Sequence, residues 1–380
     1  MITDITPTIE ETRRFYSPDD ILALDCTYNI IYGERGNGKT FALCHLILKA
    51  YFEEGIPSAY IRRLDEMIKQ GNLETLFSDP HHIEYIEKMS KGKYNSVKYF
   101  QHAFTLQKRD PENNALLERD KQPFCRTYSI STAETTKGAD RGRVKYVVFD
   151  EFITRQFYLT NEVVLFQNVL ESIIRKRPGV KIFLIANTVN KHCPYFKHMG
   201  LTNVKKQKQG TIDQYLLGKA QTKIACEYCK EGDAVASEIA EQYYCFNNPQ
   251  IEMIKNGSWE FDLYRTIPQG VGKEKPELEF YVEFDDETTR GAIYIYKDSP
   301  IICFTTKTTP IKNRDDQIIY GQEIDSPSPL HQIELARTPT RAQEIILSLF
   351  KQHKTYFGTN EDGEQIKNWL QYSTKGGLAI

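Results

Sequence analysis

Eight consecutive residues near the start of the chain have the types and the spacing that bind a polyphosphate. They are Gly33, Glu34, Arg35, Gly36, Asn37, Gly38, Lys39 and Thr40. Glycines here let backbone N–H groups turn toward phosphate oxygens, at the N-terminus of a helix whose partial positive charge favours an anion. Lys39 is placed to reach the β and γ phosphates, and the Thr40 hydroxyl to hold Mg²⁺. The pattern therefore predicts a nucleoside triphosphate site with a Mg²⁺ ion.

The segments on either side are those that such a loop requires. Residues 27–32 are a β-branched and aromatic run of strand length, and residues 40–50 have the apolar content of a buried helix. The sequence thus predicts a strand, a glycine loop and a helix in that order. The alternative is a glycine-rich turn that binds nothing, and the complete pattern in this context disfavours it.

A second motif supplies carboxylates. The apolar run at residues 146–149 is followed directly by Asp150 and Glu151. It predicts a buried parallel strand, which delivers both side chains to the sheet edge where open α/β folds bind their ligands. Asp150 is predicted to hold Mg²⁺, and Glu151 to polarise an attacking water as general base. Together with the glycine loop, the two carboxylates predict ATP hydrolysis.

The region after these carboxylates offers further polar groups. An amphipathic helix is predicted over residues 161–176, and a buried strand over residues 181–187 ends in Asn187. Asn187 is placed to sense the γ-phosphate or to orient water. The helix ends in Arg175-Lys176-Arg177, where an arginine could act on the nucleotide of a neighbouring subunit. Basic residues in a last turn also complement the helix dipole without any catalytic role.

Two other groups of basic residues are open to more than one interpretation. Arg62 and Arg63 end a predicted strand over residues 58–63, at the ligand-binding edge, but a solvated pair of charges explains them equally well. Residues 88–132 have the pattern of a β excursion on the sheet edge. Its lysines could face a nucleic-acid backbone, although a charge-rich hairpin that keeps the protein soluble is favoured. These lysines are Lys91, Lys93, Lys98 and Lys108.

Composition limits the class of protein. The 380 residues are 40% hydrophobic and 26% charged, values ordinary for a soluble globular chain, and no apolar run approaches a membrane span. The first residues lack a secretory signal, so a cytoplasmic location is expected. A net charge of −2 means that nucleic acid must bind to a local basic surface or to several subunits together. The eight cysteines are scattered, and the pair Cys226 and Cys229 lacks a full zinc ligand set.

The predicted fold class is α/β followed by α+β. Residues 1–202 are predicted to form a P-loop ATPase domain of the ASCE type with a mostly parallel sheet, and residues 203–230 a polar linker region. Residues 231–380 show three strand patterns and then helical ones, including residues 328–336. This order suits an RNase H-like domain. Only Glu283 and nearby turn carboxylates are available for a two-metal site, so an inactive nuclease is favoured over an active one.

The first half of the chain resembles the DNA encapsidation (genome-packaging) ATPases of phi29-like podophages, relatives of large terminase subunits. The resemblance rests on the glycine loop, on Tyr60-Ile61-Arg62-Arg63 and on Val148-Phe149-Asp150-Glu151-Phe152-Ile153, and Asn187 extends it. It implies a homo-oligomeric ring, a pentamer, that hydrolyses ATP to drive double-stranded DNA through a portal into a capsid. The implied partners are DNA, the portal (connector) protein, the capsid and a structural RNA. The implied location is the host cytoplasm, with transient attachment to the portal vertex of the procapsid.

The resemblance also implies roles for single residues. Its core catalytic set falls on Lys39, Thr40, Asp150 and Glu151. Arg175 corresponds to the arginine finger that acts on the adjacent subunit, and Lys137 to a further basic residue at that boundary. Arg141 and Arg143 are close enough in sequence to compete with Lys137 for this role.

Other classes of function remain open at this stage. A helicase or a nucleotide-dependent switch would use the same glycine loop, but the C-terminal half lacks the arginine-rich motifs of a second helicase domain. A binding module that uses ATP only to stabilise its fold has no need of a general base such as Glu151.

Overall fold

The computed structural model describes residues 16–132, 142–154, 158–159, 161–187, 193–204, 206–230, 264–284, 287–324 and 326–374. The chain forms two compact domains. The first comprises Met1–Thr154, Asn161–Lys191 and His198–Trp259, and the second comprises Arg155–Thr160, His192–Lys197 and Glu260–Ile380. Lys137 lies outside the described residues, as does Arg141.

The first domain is built on a ten-stranded sheet. Its strands are β1 Tyr28–Gly33, β2 Ser58–Arg62, β3 Ser96–Phe100, β4 Ala103–Arg109, β5 Leu116–Arg119, β6 Cys125–Ser129, β7 Tyr146–Asp150, β8 Lys181–Asn187, β9 Thr211–Leu217 and β10 Thr222–Tyr228. The order is β3-β4-β6-β2-β7-β8-β1-β10-β9, and β5 also pairs with β4. The strands from β6 to β10 in this order run parallel, and β3, β4, β5 and β9 are antiparallel to their neighbours.

Helices of the first domain flank this sheet or connect its strands. They are α1 Asp19–Ala23, α2 Lys39–Glu54, α3 Gln70–Leu73, α4 Pro80–Met89 and α5 Glu162–Ile174, with a 3₁₀ turn at Asp65–Ile68. The short helix α6 Pro194–His198 lies mostly in a segment of the second domain. Helix α2 ends at Gly55, whose φ of +67° only glycine adopts without strain. The central strands are buried on both faces, which explains why their sequences are apolar runs rather than alternating ones.

The strand order places the predicted motifs side by side. Strand β8 lies between β1, which leads into the glycine loop, and β7, which ends in Asp150. An additional strand in this position is the arrangement of the ASCE class of P-loop domains. Because parallel strands end at one edge of a sheet, the loop, Asp150 and Asn187 all lie at that edge. The predicted fold of the first domain is confirmed.

The linker predicted for residues 203–230 is corrected by the structure. Strands β9 and β10 lie within this range, and β10 pairs in parallel with β1 over five residue pairs, from Tyr28 with Ile224 to Tyr32 with Tyr228. The polar stretch at residues 203–210 suggested a linker, but the strands that follow it bury Ile224, Ala225 and Cys226 completely. This segment completes the first sheet.

The second domain contains a six-stranded sheet. Its elements are β11 Leu278–Phe284, β12 Glu287–Tyr296, β13 Ser299–Thr306, β14 Ile318–Gly321, β15 His331–Gln332, α7 Arg341–Lys351, β16 Thr355–Phe357 and α8 Asn360–Ser373, with a 3₁₀ turn at Arg314–Asp316. The order β15-β14-β11-β12-β13-β16, with β11 to β13 antiparallel and β14 parallel to β11, agrees with the predicted RNase H-like layout. The predicted helix at residues 328–336 is absent from the described chain, and β15 lies there instead.

Helices α7 and α8 close one face of this sheet. Their apolar side chains form a core with Phe280, Ile302 and Phe304, centred on the completely buried Trp369. Both helices begin with a capping box, at Thr340 and Thr359. Among the described residues of the whole chain, no helix has the length and apolar character needed to span a membrane.

Candidate nucleotide site

The three loop positions Gly33, Gly36 and Gly38 require glycine for different structural reasons. Gly36 and Gly38 have φ angles of +76° and +87°, which side chains with a Cβ rarely adopt. Gly33 has no such angle, but a Cβ on it would lie 2.8 Å from Cβ of Cys229. The loop is therefore shaped by two left-handed turns and by close packing against the residue that follows β10.

Lys39 is held within the loop itself. Its side chain is buried, and Nζ donates hydrogen bonds to the carbonyl oxygen of Glu34 and, at 3.0 Å, to Oδ1 of Asn37. Burial lowers the pKa of the Lys39 ammonium, because desolvation disfavours its charge. A triphosphate would offer charged oxygens to this buried cation, so binding and retention of the charge should reinforce each other.

Asp150, from the second motif, contacts Thr40 at the end of the glycine loop. It is 6% exposed, and its Oδ2 lies 3.5 Å from Oγ1 of Thr40. The Tyr60 hydroxyl donates a hydrogen bond to the same oxygen, and burial together with the Asp150 charge raises the pKa of Tyr60, which keeps it a donor. A hydroxyl and a carboxylate at this spacing fit Mg²⁺, which prefers oxygen ligands and retains waters. Thr40 and Asp150 are thus the residues that could hold the metal.

Glu151 lies at the mouth of the site in a strained backbone conformation. Its φ is +60°, and its side chain is 53% exposed. The carboxylate accepts a salt bridge from Nη1 of Arg62 at 2.7 Å, while Nη2 of the same arginine lies 3.3 Å from Asp150. Arg62 therefore holds both carboxylates at this edge of the sheet.

Arg63, next in the chain, points into the protein. It is 3% exposed, and its Nε donates to both carboxylate oxygens of Glu162, at 2.9 and 3.1 Å. Its Nη1 and Nη2 donate to the carbonyl oxygens of Glu151 and Phe152, at 3.1 and 2.8 Å. Arg63 thus fastens the backbone after the predicted general base to the first turn of helix α5. The sequence pattern predicted the same two roles for both arginines, whereas Arg62, the last residue of β2, and Arg63, which follows it, contact different partners.

Asn187 lies where the prediction places it. It ends β8 and pairs in register with Gly33, the first residue of the loop. Arg175 follows α5, and the chain then leads to the start of β8, where the N–H of Lys181 donates to the carbonyl oxygen of Lys145, just before β7. The starts of β7 and β8 form the edge opposite Asp150. Arg175 is therefore not brought together with the loop of its own chain.

The start of the described chain contacts the loop. The N–H of Tyr16 donates to the carbonyl oxygen of Asn37 at 2.8 Å, and its hydroxyl donates to Oε2 of Glu227 at 2.7 Å. Burial raises the pKa of Glu227 and of Tyr16. These contacts connect the loop to β10 through residues that no motif marked.

The fold and this site define the class: the first domain is a P-loop domain in which a glycine loop, a hydroxyl and a carboxylate pair meet at the ends of parallel strands. Comparison with known proteins shows which family and which proteins the chain resembles. Residues 120–217 match the Podovirus DNA encapsidation protein (Gp16) family. The chain is 26% identical to the DNA packaging protein of Bacillus phage phi29 over 212 residues, which are 53% of this chain and 55% of that protein. It thus spans about half the length of the curated relatives it matches.

Two solved structures show the same fold over nearly the whole chain. The structure titled the phi28 gp11 DNA packaging motor is 18% identical, with a TM-score of 0.53, and the match covers 97% of this chain and 99% of that one. The bacteriophage phi29 viral genome packaging motor assembly is 17% identical, also with a TM-score of 0.53, over 92% of this chain and 96% of that one. The predicted resemblance to podophage encapsidation proteins is confirmed.

Proposed function

We propose that this chain is a subunit of an ATP-driven motor that packages double-stranded DNA into a phage capsid through the portal. The observation that carries the proposal is the convergence of Lys39, Thr40, Asp150 and Glu151 at one sheet edge. The similarity to DNA packaging proteins supports the choice of substrate. ATP and Mg²⁺ are the proposed cofactors.

Each residue has a distinct part in the proposed hydrolysis. Lys39 and the loop amides bind the β and γ phosphates, and Thr40 and Asp150 hold the metal. Mg²⁺ supplies positive charge that stabilises the charge developing on the phosphates. Glu151, after release from Arg62, accepts a proton from the attacking water. Asn187, beside Gly33, orients that water or contacts the γ-phosphate. Glu34, Arg35, Gly36, Asn37 and Gly38 form the rest of the nucleotide-binding loop.

Arg175 acts in trans in this proposal. It follows helix α5, on the way to the start of β8 at the sheet edge opposite its own loop, which favours a neighbouring subunit's nucleotide as its target. In a closed head-to-tail ring, every subunit makes this contact with the next subunit, and the proposed ring is a pentamer. Lys137 is proposed to act at the same boundary. The ring is proposed to contact the portal, the capsid, DNA and a structural RNA, in the host cytoplasm and at the portal vertex.

The second domain is proposed to be an inactive nuclease that serves in docking. Glu283, its candidate metal ligand, accepts two hydrogen bonds from Arg314, at 2.6 and 2.9 Å. Within the described parts of the chain, no three histidine, cysteine or acidic side chains lie close enough to hold a metal together. A two-metal nuclease needs such a set.

Steady-state ATP hydrolysis, with and without long double-stranded DNA and at several protein concentrations, tests the proposal. A shared-site motor should turn over faster when DNA is added and when the concentration rises. Turnover indifferent to both would favour a switch-like P-loop protein instead.

Mixing variants tests the trans role of Arg175. Arg175→Ala should abolish hydrolysis with ATP affinity nearly intact. Adding Glu151→Ala subunits should restore some turnover where an intact Arg175 meets an intact Glu151. Absence of rescue at every ratio would contradict the trans assignment.

A further inference from the structure

The edge of the first sheet farthest from β9 carries arginines that the nucleotide site does not use. Strand β4 pairs with β3 along one side, and with β6 and then β5 along the other. Arg126 of β6 pairs with Ala103, and Arg119 of β5 pairs with Gln107. Since Ala103 and Gln107 are four residues apart on one strand, these two arginines lie on the same face of the sheet.

Arg109 extends this row. It lies two residues beyond Gln107 on β4, and its Nε donates to Oε1 of Gln107 at 3.1 Å, which places both side chains on one face. At about 3.3 Å per residue, Arg126, Arg119 and Arg109 follow β4 over roughly 20 Å. We call Arg109, Arg119 and Arg126 the arginine row.

In the described part of this region two of the lysines are ion-paired, whereas the three arginines are not. Lys93 pairs with Glu118 at 3.2 Å, and Lys98 pairs with Glu74 at 2.8 Å. Among the described residues, none of the three arginines has a carboxylate within salt-bridge distance. Arg109 donates only to neutral oxygens, those of Gln107 and Asn114. The lysines singled out in the sequence are thus neutralised in part, while the arginines retain their full charge.

The nearby carboxylates of β5 and its following turn face elsewhere. Glu118 is opposite Lys108 in the register and therefore on the other face from Arg119. Asp120 accepts a hydrogen bond from the Tyr51 hydroxyl of helix α2, at 2.8 Å. Glu118 and Asp120 therefore do not neutralise the row, in which Arg119 is exposed and Arg109 and Arg126 are half-buried.

We propose that the arginine row contacts the phosphate backbone of double-stranded DNA. Duplex DNA carries one phosphate per about 3.4 Å on each strand, so a 20 Å column spans roughly six phosphates. Arginine forms bidentate hydrogen bonds with phosphate, and a contact of this kind is independent of base sequence, as translocation of a whole genome requires. The choice of DNA rests on the proposed function.

The test compares two variants with equal loss of charge. In the first, Arg109, Arg119 and Arg126 are changed to Gln, and in the control, Lys93, Lys98 and Lys108 are changed to Gln. Binding to a 40-base-pair fluorescent duplex is measured by anisotropy from low to physiological salt. The arginine variant should bind about 10²-fold more weakly, with a salt slope reduced by about 2 to 3, and the lysine variant should bind within about threefold of the unaltered protein.

Several results would overturn the proposal. These are unaltered binding by the arginine variant, an equal loss in the lysine variant, and tighter binding of an RNA duplex of the same length. Basal ATP hydrolysis and thermal unfolding are measured in parallel and should be unchanged. If the unaltered protein binds DNA but hydrolyses no ATP, the proposed function fails while the arginine row stands. If DNA stimulates hydrolysis equally in both variants, the row fails while the function stands.

Discussion

Both domains pair an arginine with a carboxylate at the end of a strand, but the two pairs are built differently. In the first domain, one Arg62 guanidinium bridges two carboxylates, Asp150 and Glu151. In the second, both terminal nitrogens of Arg314 bind the two oxygens of the single Glu283 carboxylate. The first lies beside a phosphate loop, whereas among the described residues the second is not part of any group of three histidine, cysteine or acidic side chains that could hold a metal.

The difference indicates what an ion pair needs in order to open during catalysis. A bidentate pair satisfies both partners, and opening it offers Glu283 nothing in exchange. Arg62, in contrast, shares its charge between two acids, and under the proposed function it turns to a phosphate and releases Glu151 toward water. What distinguishes the two pairs is therefore the neighbouring loop that can replace one partner, rather than the pair itself.

The largest expected effect is on catalysis by Glu151. Glu151→Gln removes the proton acceptor and keeps the shape, so turnover should fall by about 10³-fold or more with ATP affinity within about threefold. Steady-state hydrolysis and binding of a fluorescent ATP analogue measure the two quantities. Glu283→Gln is the matched control and should leave turnover within about twofold. An equal loss in both would remove the distinction between the domains.

Next in size is the buried pair behind the site. Arg63→Leu leaves the Glu162 carboxylate buried without its partner, which should cost about 3 to 5 kcal/mol of stability in the first domain. Urea unfolding measures this, with the first-domain transition followed separately. The double variant with Glu162→Leu should recover part of the loss, because no unpaired charge remains. If the double variant regains no stability, most of the loss comes from the hydrogen bonds of Arg63 to the carbonyl oxygens of Glu151 and Phe152.

Acid should weaken the first domain through His82. This ring is 1% exposed and stacks on Phe41, and burial, with a smaller contribution from His45, lowers its pKa from 6.5 to about 4. The unfolded chain then binds the extra proton first, so stability is complete above pH 6.5 and falls by about 3 kcal/mol toward pH 4. Thermal unfolding from pH 7 to pH 4.5 measures the slope. His82→Phe should flatten it, and an unchanged slope would place the titration in another group.

The smallest effect is expected for the second pair. Arg314 is partly exposed, so Arg314→Gln should reduce the stability of the second domain by about 1 kcal/mol or less. Releasing Glu283 should also create no nuclease activity, because the described residues offer no group of three ligands around a metal. Plasmid cleavage with Mn²⁺ or Mg²⁺ measures this. Cleavage that appears in Arg314→Gln and disappears in Glu283→Gln would show that the domain keeps a latent metal site.

The parts of the site that could be predicted are those encoded in continuous segments. The strand, loop and helix around Lys39 and the run that ends in Asp150 are local patterns, and the structure has both. The place of residues 203–230 could not be found in this way, because β10 is defined by its pairing with the distant β1. The separate contacts of Arg62 and Arg63 also depend on partners far along the chain, Glu151 and Glu162. The roles of Arg175, Asn187 and Lys137 remain predictions.

Because β1 lies between β8 and β10, the glycine loop depends on strands that are synthesised long after it. The ribosome releases the glycine loop early, but one neighbour of its strand lies at residues 181–187 and the other at residues 222–228. Cys229, against which Gly33 packs, follows later still. A nascent chain shorter than this has the complete phosphate-binding sequence without the sheet that shapes it. Nucleotide binding is therefore expected only after residues 222–229 have been synthesised.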